Sequence, residues 1–292
     1  MDLFFKYLQY EKRYSPHTLT SYHTDLWQFS DYLLQTYEIS DPAQADHTII
    51  RSWILSLVQN NIQPRSINRK IACLRSYYKF LLSQQRIQAN PMLRIKAPKV
   101  SKKLPAFVPE EPFNQLLDGF EFEDSFEGQR DRVILEFLYG TGMRLAELIG
   151  IKESDIDKHQ KTVRVLGKGN KERIIPINDS LWESINVYLA HKRRAFGDNN
   201  SEKLLVTTKA RPLYPKFIYR VVKKYISLIT TSAHNSPHVL RHSFATHLLN
   251  KGADLNAIKD LLGHASLAAT QVYTHNSIEK LKSIFEKAHP KA

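Results

Sequence analysis

Thr162-Val163-Arg164-Val165-Leu166-Gly167-Lys168-Gly169-Asn170-Lys171-Glu172-Arg173-Ile174-Ile175-Pro176-Ile177 stands apart from the rest of this chain. β-Branched residues crowd both ends, and a Gly/Asn-rich turn divides them. Thr162–Leu166 and Arg173–Ile177 therefore read as paired strands. Almost everything outward from this hairpin has helical spacing. After it, helices dominate from Ser180 to the end. Before it, Asp131 to Tyr139 is helical, Gly140-Thr141-Gly142 breaks that helix, and Arg144 to Ile149 begins another.

Further out, the first 97 residues read as helices only. Ser15-Pro16 starts one, with Leu19, Tyr22, Leu26, Phe29 and Leu33 as its apolar stripe. A second runs through Ile49, Trp53 and Leu57. A third follows Pro64 and buries Ile67, Ile71, Leu74, Tyr78 and Leu81. At the helical angle of about 100° per residue, Arg65, Arg69 and Lys79 fall opposite that stripe. Lys96 to Pro105 is rich in proline and lysine, which suits a linker. The expected fold is mainly α with two domains: an all-α bundle over 1–97, a linker over 98–108, and a mixed α+β domain over 109–292 with a small antiparallel sheet.

With 292 residues there is length for two proper cores. The net charge of +13 favours a polyanionic partner. Both halves are basic, but residues 109–127 carry seven acids and no base. The single cysteine, Cys73, lies on an apolar helical pattern, which excludes a disulfide framework and reads as a buried, inert thiol. Asp2, Lys6 and Glu11 interrupt the first apolar run, so no signal peptide is expected. With no membrane-span stretch either, a cytoplasmic protein is expected.

The chemistry concentrates in Ser236-Pro237-His238-Val239-Leu240-Arg241-His242. Ser236 is a candidate N-cap, Pro237 suits the first helical position, and Gly252 can close the helix. His238 and Arg241 share a face near the helix start, where a permanent cation opposes the dipole unless an anion binds. Arg144, just after Thr141-Gly142, poses the same puzzle. Two guanidiniums can clamp the oxygens of a phosphate through a phosphoryl transfer. Lys168, in the hairpin turn, can protonate a leaving 5′-oxygen. Tyr273 can attack if a base such as His238 takes its proton, with His264 assisting. His238 and His242 have zinc-ligand spacing, but Val239 stands where a zincin needs Glu, and His242 and His247 read as buried, hydrogen-bonded side chains. No metal and no cofactor are expected.

Taken in order, Thr141-Gly142-Met143-Arg144-Leu145-Ala146-Glu147-Leu148, Gly167 to Arg173, Pro237-His238-Val239-Leu240-Arg241-His242, Leu262-Gly263-His264 and Tyr273-Thr274-His275 resemble the tyrosine recombinases (phage integrases), and within them the bacterial Xer type. The resemblance spans the chain, including the ending Ala288-His289-Pro290-Lys291-Ala292. It implies a SAM-like core-binding clamp before a catalytic domain. It also implies Arg144 and Arg241 on the scissile phosphate, Lys168 as general acid, His238 as general base, His264 as transition-state support and Tyr273 as nucleophile, forming a 3′-phosphotyrosyl link. Candidate DNA contacts are Arg65, Arg69, Lys79, Lys171 and Arg173.

Further implications are a double-stranded recombination site, four subunits on two duplexes, alone or with a second Xer recombinase, and activation by a septal DNA translocase. Chromosome-dimer resolution at a dif-like site is the implied role. The tail stripe Ile278, Leu281, Phe285 and Ala288, on a helix of about 277–288, packs at home by default; the resemblance suggests that it passes to a neighbour instead. An integrase of a mobile element, a DNA-binding protein without cleavage, and a metal-dependent nuclease remain the competing readings.

Overall fold

The computed structural model describes residues 1–100, 107–167, 172–197, 201–230 and 235–263, together with Phe285 and Ala288. Lys168, Lys171, His264 and Tyr273 lie outside the described residues, as do Ile278 and Leu281. The chain divides into two compact units, Met1–Lys103 and Leu104–Ala292, a division that falls inside the expected linker.

The first unit is helical throughout its regular structure. A short helix α1 (Asp2–Lys6) runs into a π-helical turn, Tyr7–Glu11, and is followed by α2 (Pro16–Tyr37), α3 (His47–Gln59) and α4 (Pro64–Ser83). Ser15 caps α2 by accepting from the Thr18 amide at 3.3 Å, and Asp46 caps α3 by accepting from Thr48 and Ile49. Leu26, Phe29, Leu33, Ile50, Trp53, Ile67, Ile71, Leu74, Tyr78 and Leu81 form one buried core, as their three-and-four spacing requires. Cys73 is fully buried there, its thiol against the Tyr22 carbonyl, and burial pushes its pKa up.

One polar group breaks the apolar pattern of α2. Asp25 is fully buried and accepts from Lys70 at 2.9 Å and from Arg69. Arg69 also donates to the Ser21 carbonyl at 3.2 Å. The arc of Arg65, Arg69 and Lys79 on α4 is exposed, as the helical angle predicts, but Arg69 spends its charge on a carboxylate of its own domain. An uncompensated Asp25 would be costly in the core, and Lys70 and Arg69 together answer its charge.

The second unit surrounds α6 (Phe126–Thr141) with α5 (Glu110–Gly119), α7 (Leu145–Gly150), α8 (Asp179–Phe196), α9 (Pro215–Ile226), α10 (Pro237–Asn250) and α11 (Leu255–Leu262). The helix α6 is longer than its periodicity suggests, because it is buried nearly all round and needs no polar face. Ser125 caps its start, and Gly140 and Thr141 continue it rather than break it. Gly142, at φ +58°, ends it in the left-handed region that glycine adopts freely.

The two expected strands pair, the second of them one residue earlier than its sequence pattern suggests. β2 (Thr162–Leu166) pairs antiparallel with β3 (Glu172–Pro176), Val163 opposite Ile175 and Val165 opposite Arg173. A two-residue strand β1 (Ile156–Asp157), which has no pattern in the sequence, extends the sheet to the order β1-β2-β3. Val163 and Val165 face the core while Arg164 and Leu166 face out.

A smaller core joins α10 to α11: Phe244, Leu248, Ile258, Leu261 and Leu262, with Phe285 and Ala288 buried among them. The two described members of the tail stripe thus pack on their own chain. No described helix is long and apolar enough to cross a membrane.

Candidate active site

Three arginines converge on the C-terminal end of α11. A helix leaves its last carbonyls without intrahelical partners, and they carry the negative pole of the dipole. Here each successive carbonyl is taken by a different guanidinium. Leu261 accepts from Arg173 Nε at 3.0 Å, Leu262 from Arg241 Nη2 at 2.6 Å, and Gly263 from Arg144 Nη2 at 2.8 Å. Gly263 can present its carbonyl this way because it caps α11 at φ +62°, where a Cβ would also press on Arg173 at 3.1 Å.

Arg144 is the N-cap of α7, and Glu147 lies at the third helical position. Glu147 Oε2 accepts from the Arg144 amide at 2.6 Å, and its Oε1 from Arg144 Nη1 at 2.8 Å. A glutamate reaching back to the N-cap is half of a capping box, so the helix start and the guanidinium are oriented by one carboxylate. Arg241 reaches the same place from α10, and its Nη1 also donates to the Gly142 carbonyl at 2.6 Å. Burial, then the neighbouring charge of Arg144, pulls its pKa down to about 10, so it keeps its proton at neutral pH. Burial pushes the Glu147 carboxyl up, but bonds from Arg173 and Arg144 outweigh that and hold it below the usual carboxylate range.

Two details depart from the sequence reading. Ser236 is the N-cap of α10 by position and backbone angle, yet its side chain makes no capping bond. Arg241 is the fifth residue of α10, beyond the first turn, so its charge answers to the α11 carbonyls and not to free amides at the helix start. His238, one turn earlier, is exposed. His242 is half-buried, while His247 is buried with its Nδ1 2.9 Å from the Tyr139 hydroxyl. Burial lowers the pKa of His247.

Arg173 does not belong among the DNA contacts. It is 5% exposed and gives both prongs to Glu147, Nη1 to Oε1 at 2.6 Å and Nη2 to Oε2 at 2.8 Å. Alternation along β3 places it on the inner face, opposite Val165, and a buried guanidinium must be fully paired. Glu147 itself was visible in the sequence as the residue three after Arg144, ahead of an apolar run; that spacing was its signal. Among the described residues no group of three His, Cys, Asp or Glu side chains could hold a metal ion.

Residues 107–280 match the phage integrase family, and residues 1–85 match its N-terminal SAM-like domain. Curated relatives are similar along the whole length. A tyrosine recombinase XerC of Chlorobaculum parvum is 38% identical, covering 100% of this chain and 94% of that protein. One of Staphylococcus saprophyticus is 41% identical over 98% and 95%. Among solved structures, the site-specific recombinase XerH bound to its difH substrate in a post-cleavage complex superposes with a TM-score of 0.71. It shares 23% identity and covers 91% of this chain and 78% of the other, a likeness of fold. Both units matched in order, and relatives alike from end to end, place this chain in the phage integrase family of tyrosine recombinases.

Proposed function

We propose that the chain is a site-specific DNA recombinase of the Xer type, which cuts and rejoins double-stranded DNA through a 3′-phosphotyrosyl intermediate. The observation that carries this is the meeting of Arg144 and Arg241 at the end of α11, one residue before His264. Of the three guanidiniums there, Arg144 and Arg173 pair with one carboxylate, Glu147, while Arg241 meets only backbone carbonyls, so an anion is the natural further occupant.

In the reaction, Tyr273 attacks the scissile phosphorus while its phenol proton passes to His238. Arg144 and Arg241 bind the non-bridging oxygens and offset the charge that gathers on them. The P–O5′ bond breaks, and Lys168 protonates the departing 5′-oxygen. His264 supports the transition state. Because the ester conserves the bond, a 5′-hydroxyl from another strand can reverse each step without ATP.

The first unit, 1–97, acts as a clamp on the duplex, with Arg65, Arg69 and Lys79 on its exposed arc and the 98–108 linker joining it to the catalytic unit. Four subunits assemble on two duplexes, alone or with a second Xer recombinase, in the cytoplasm. Their substrate is a dif-like site and their role is the resolution of chromosome dimers, under a septal DNA translocase. Assembly hands the tail, whose Phe285 and Ala288 pack on their own chain here, to a neighbour.

The test is a nicked suicide substrate carrying the target site, incubated in EDTA. Wild type accumulates a covalent adduct whose peptide maps to Tyr273, and Tyr273→Phe forms none. An adduct that persists in Tyr273→Phe, or that needs a divalent cation, defeats the proposal.

A further inference from the structure

Glu147 is an awkward neighbour for a phosphate clamp. Its carboxylate lies 2.8 Å from the Arg144 guanidinium and, left alone with it, would cancel the charge that a phosphate is meant to meet. Arg173 answers that charge from the other side. It contacts both oxygens of Glu147, at 2.6 and 2.8 Å, in the paired geometry that gives the strongest charge-assisted bonds. Its third nitrogen, Nε, is anchored on the Leu261 carbonyl, and its stem lies beneath Gly263, whose carbonyl receives Arg144. The side chain is only 5% exposed, which leaves it little surface to offer DNA.

We propose that Arg173 is a positioning residue for strand cleavage: it occupies the charge of Glu147, so that this carboxylate orients Arg144 without neutralising it. The proposal rests on the assignment of Arg144 as a phosphate ligand. With Arg173 in place, the cluster of Arg144, Arg173, Arg241 and Glu147 holds an excess of two positive charges. Without it the excess falls to one, and Arg144 is drawn into a private ion pair. Arg173 also connects β3, which begins at Glu172, four residues after Lys168 in sequence, to the last turn of α11, which precedes His264. Its loss therefore acts on the charge met by the phosphate and not on the affinity for the duplex.

The experiment compares two suicide duplexes with the full chain under single turnover. One has an ordinary phosphodiester at the cleavage position. The other has a neutral methylphosphonate there, in which a methyl group replaces one non-bridging oxygen and the demand for a charge clamp is reduced. Arg173→Met is expected to slow phosphodiester cleavage about a hundredfold, short of what removing a direct transition-state donor costs. Its DNA affinity should stay within about threefold of wild type, and so should its rate on the methylphosphonate. Arg173→Lys, which retains a charge but loses the second prong, should lose about tenfold, again on the phosphodiester alone.

If Arg173→Met unfolds, the Lys variant carries the comparison. Equal losses on both duplexes would reduce Arg173 to a structural pair, and wild-type rates on the phosphodiester would remove it from the mechanism. Arg144→Ala separates this inference from the reading beneath it. If Arg144→Ala regains rate on the methylphosphonate while the Arg173 variants do not, the inference alone fails. If Arg144→Ala gains nothing, the phosphate-clamp assignment fails.

Discussion

Arg241 donates to the carbonyl of Gly142 at 2.6 Å, so a residue near the start of α10 holds the left-handed turn that launches Arg144 two positions later. The two arginines are thus set by each other's surroundings: one is hydrogen-bonded to the turn from which the other departs, and both end on adjacent carbonyls of α11.

That turn admits little but glycine. At φ +58°, a Cβ on residue 142 would sit against the Phe244 ring and 2.9 Å from Leu262 Cδ2. Gly142→Ala should destabilise the second unit by about 2–4 kcal/mol, from strain and overpacking together. Urea unfolding of the full chain reads this directly, and an unmoved midpoint would contradict the account of the turn.

On the proposed function, Arg241→Ala removes a direct phosphate ligand. Cleavage of a suicide substrate should fall by about a hundredfold to a thousandfold, the usual cost of losing one such donor. A loss of less than about tenfold is too small for a transition-state ligand and would return Arg241 to a structural role.

His247 makes stability depend on pH. Its folded pKa lies below the ordinary 6.5 because burial disfavours the imidazolium. On acidification the unfolded chain takes up the proton first. The contribution of His247 is therefore complete above about pH 6.5 and is lost as pH falls from there toward the folded value. Melting temperatures of wild type and His247→Gln, compared from neutral to mildly acid pH, should converge on the acid side. A constant gap between the two would count against the neutral, buried imidazole.

Phe285 is 3% exposed in the core formed by α10 and α11. Phe285→Ala should cost about 3–5 kcal/mol in the free chain, as expected for an aromatic deleted from a core. The loss should not vary with protein concentration, because the pocket belongs to the same molecule. A concentration-dependent loss would instead place the tail on a second copy.

How far these features were legible depends on the range of the physics behind them. The stripe Ile67, Ile71, Leu74, Tyr78, Leu81 and the alternation of Val163 and Val165 are local periodicities, and both reappear as buried faces. Arg173 shows the opposite case. Its neighbours in sequence are Glu172 and Ile174, and it was expected among the DNA contacts. Its real partners are 26 positions back at Glu147 and 88 positions on at Leu261, and nothing in the hairpin announces either. Asp25 is similar: its pairing with Lys70 spans 45 residues, so the polar break in the α2 stripe has no local explanation.

What the sequence by itself determined was the inventory: helices with a single hairpin, two basic segments with a cluster of acids between them, and an ordered series of cationic and nucleophilic residues that resembles one family. Those follow from propensity, periodicity and composition, which act within a few turns of chain. Only the tertiary structure decided which arginines gather on the α11 carbonyls and which of them are paired with a carboxylate. A guanidinium's role is set by the charges and carbonyls within hydrogen-bond reach of it, and at Arg173 and Arg241 those are brought there by packing between elements far apart in the chain.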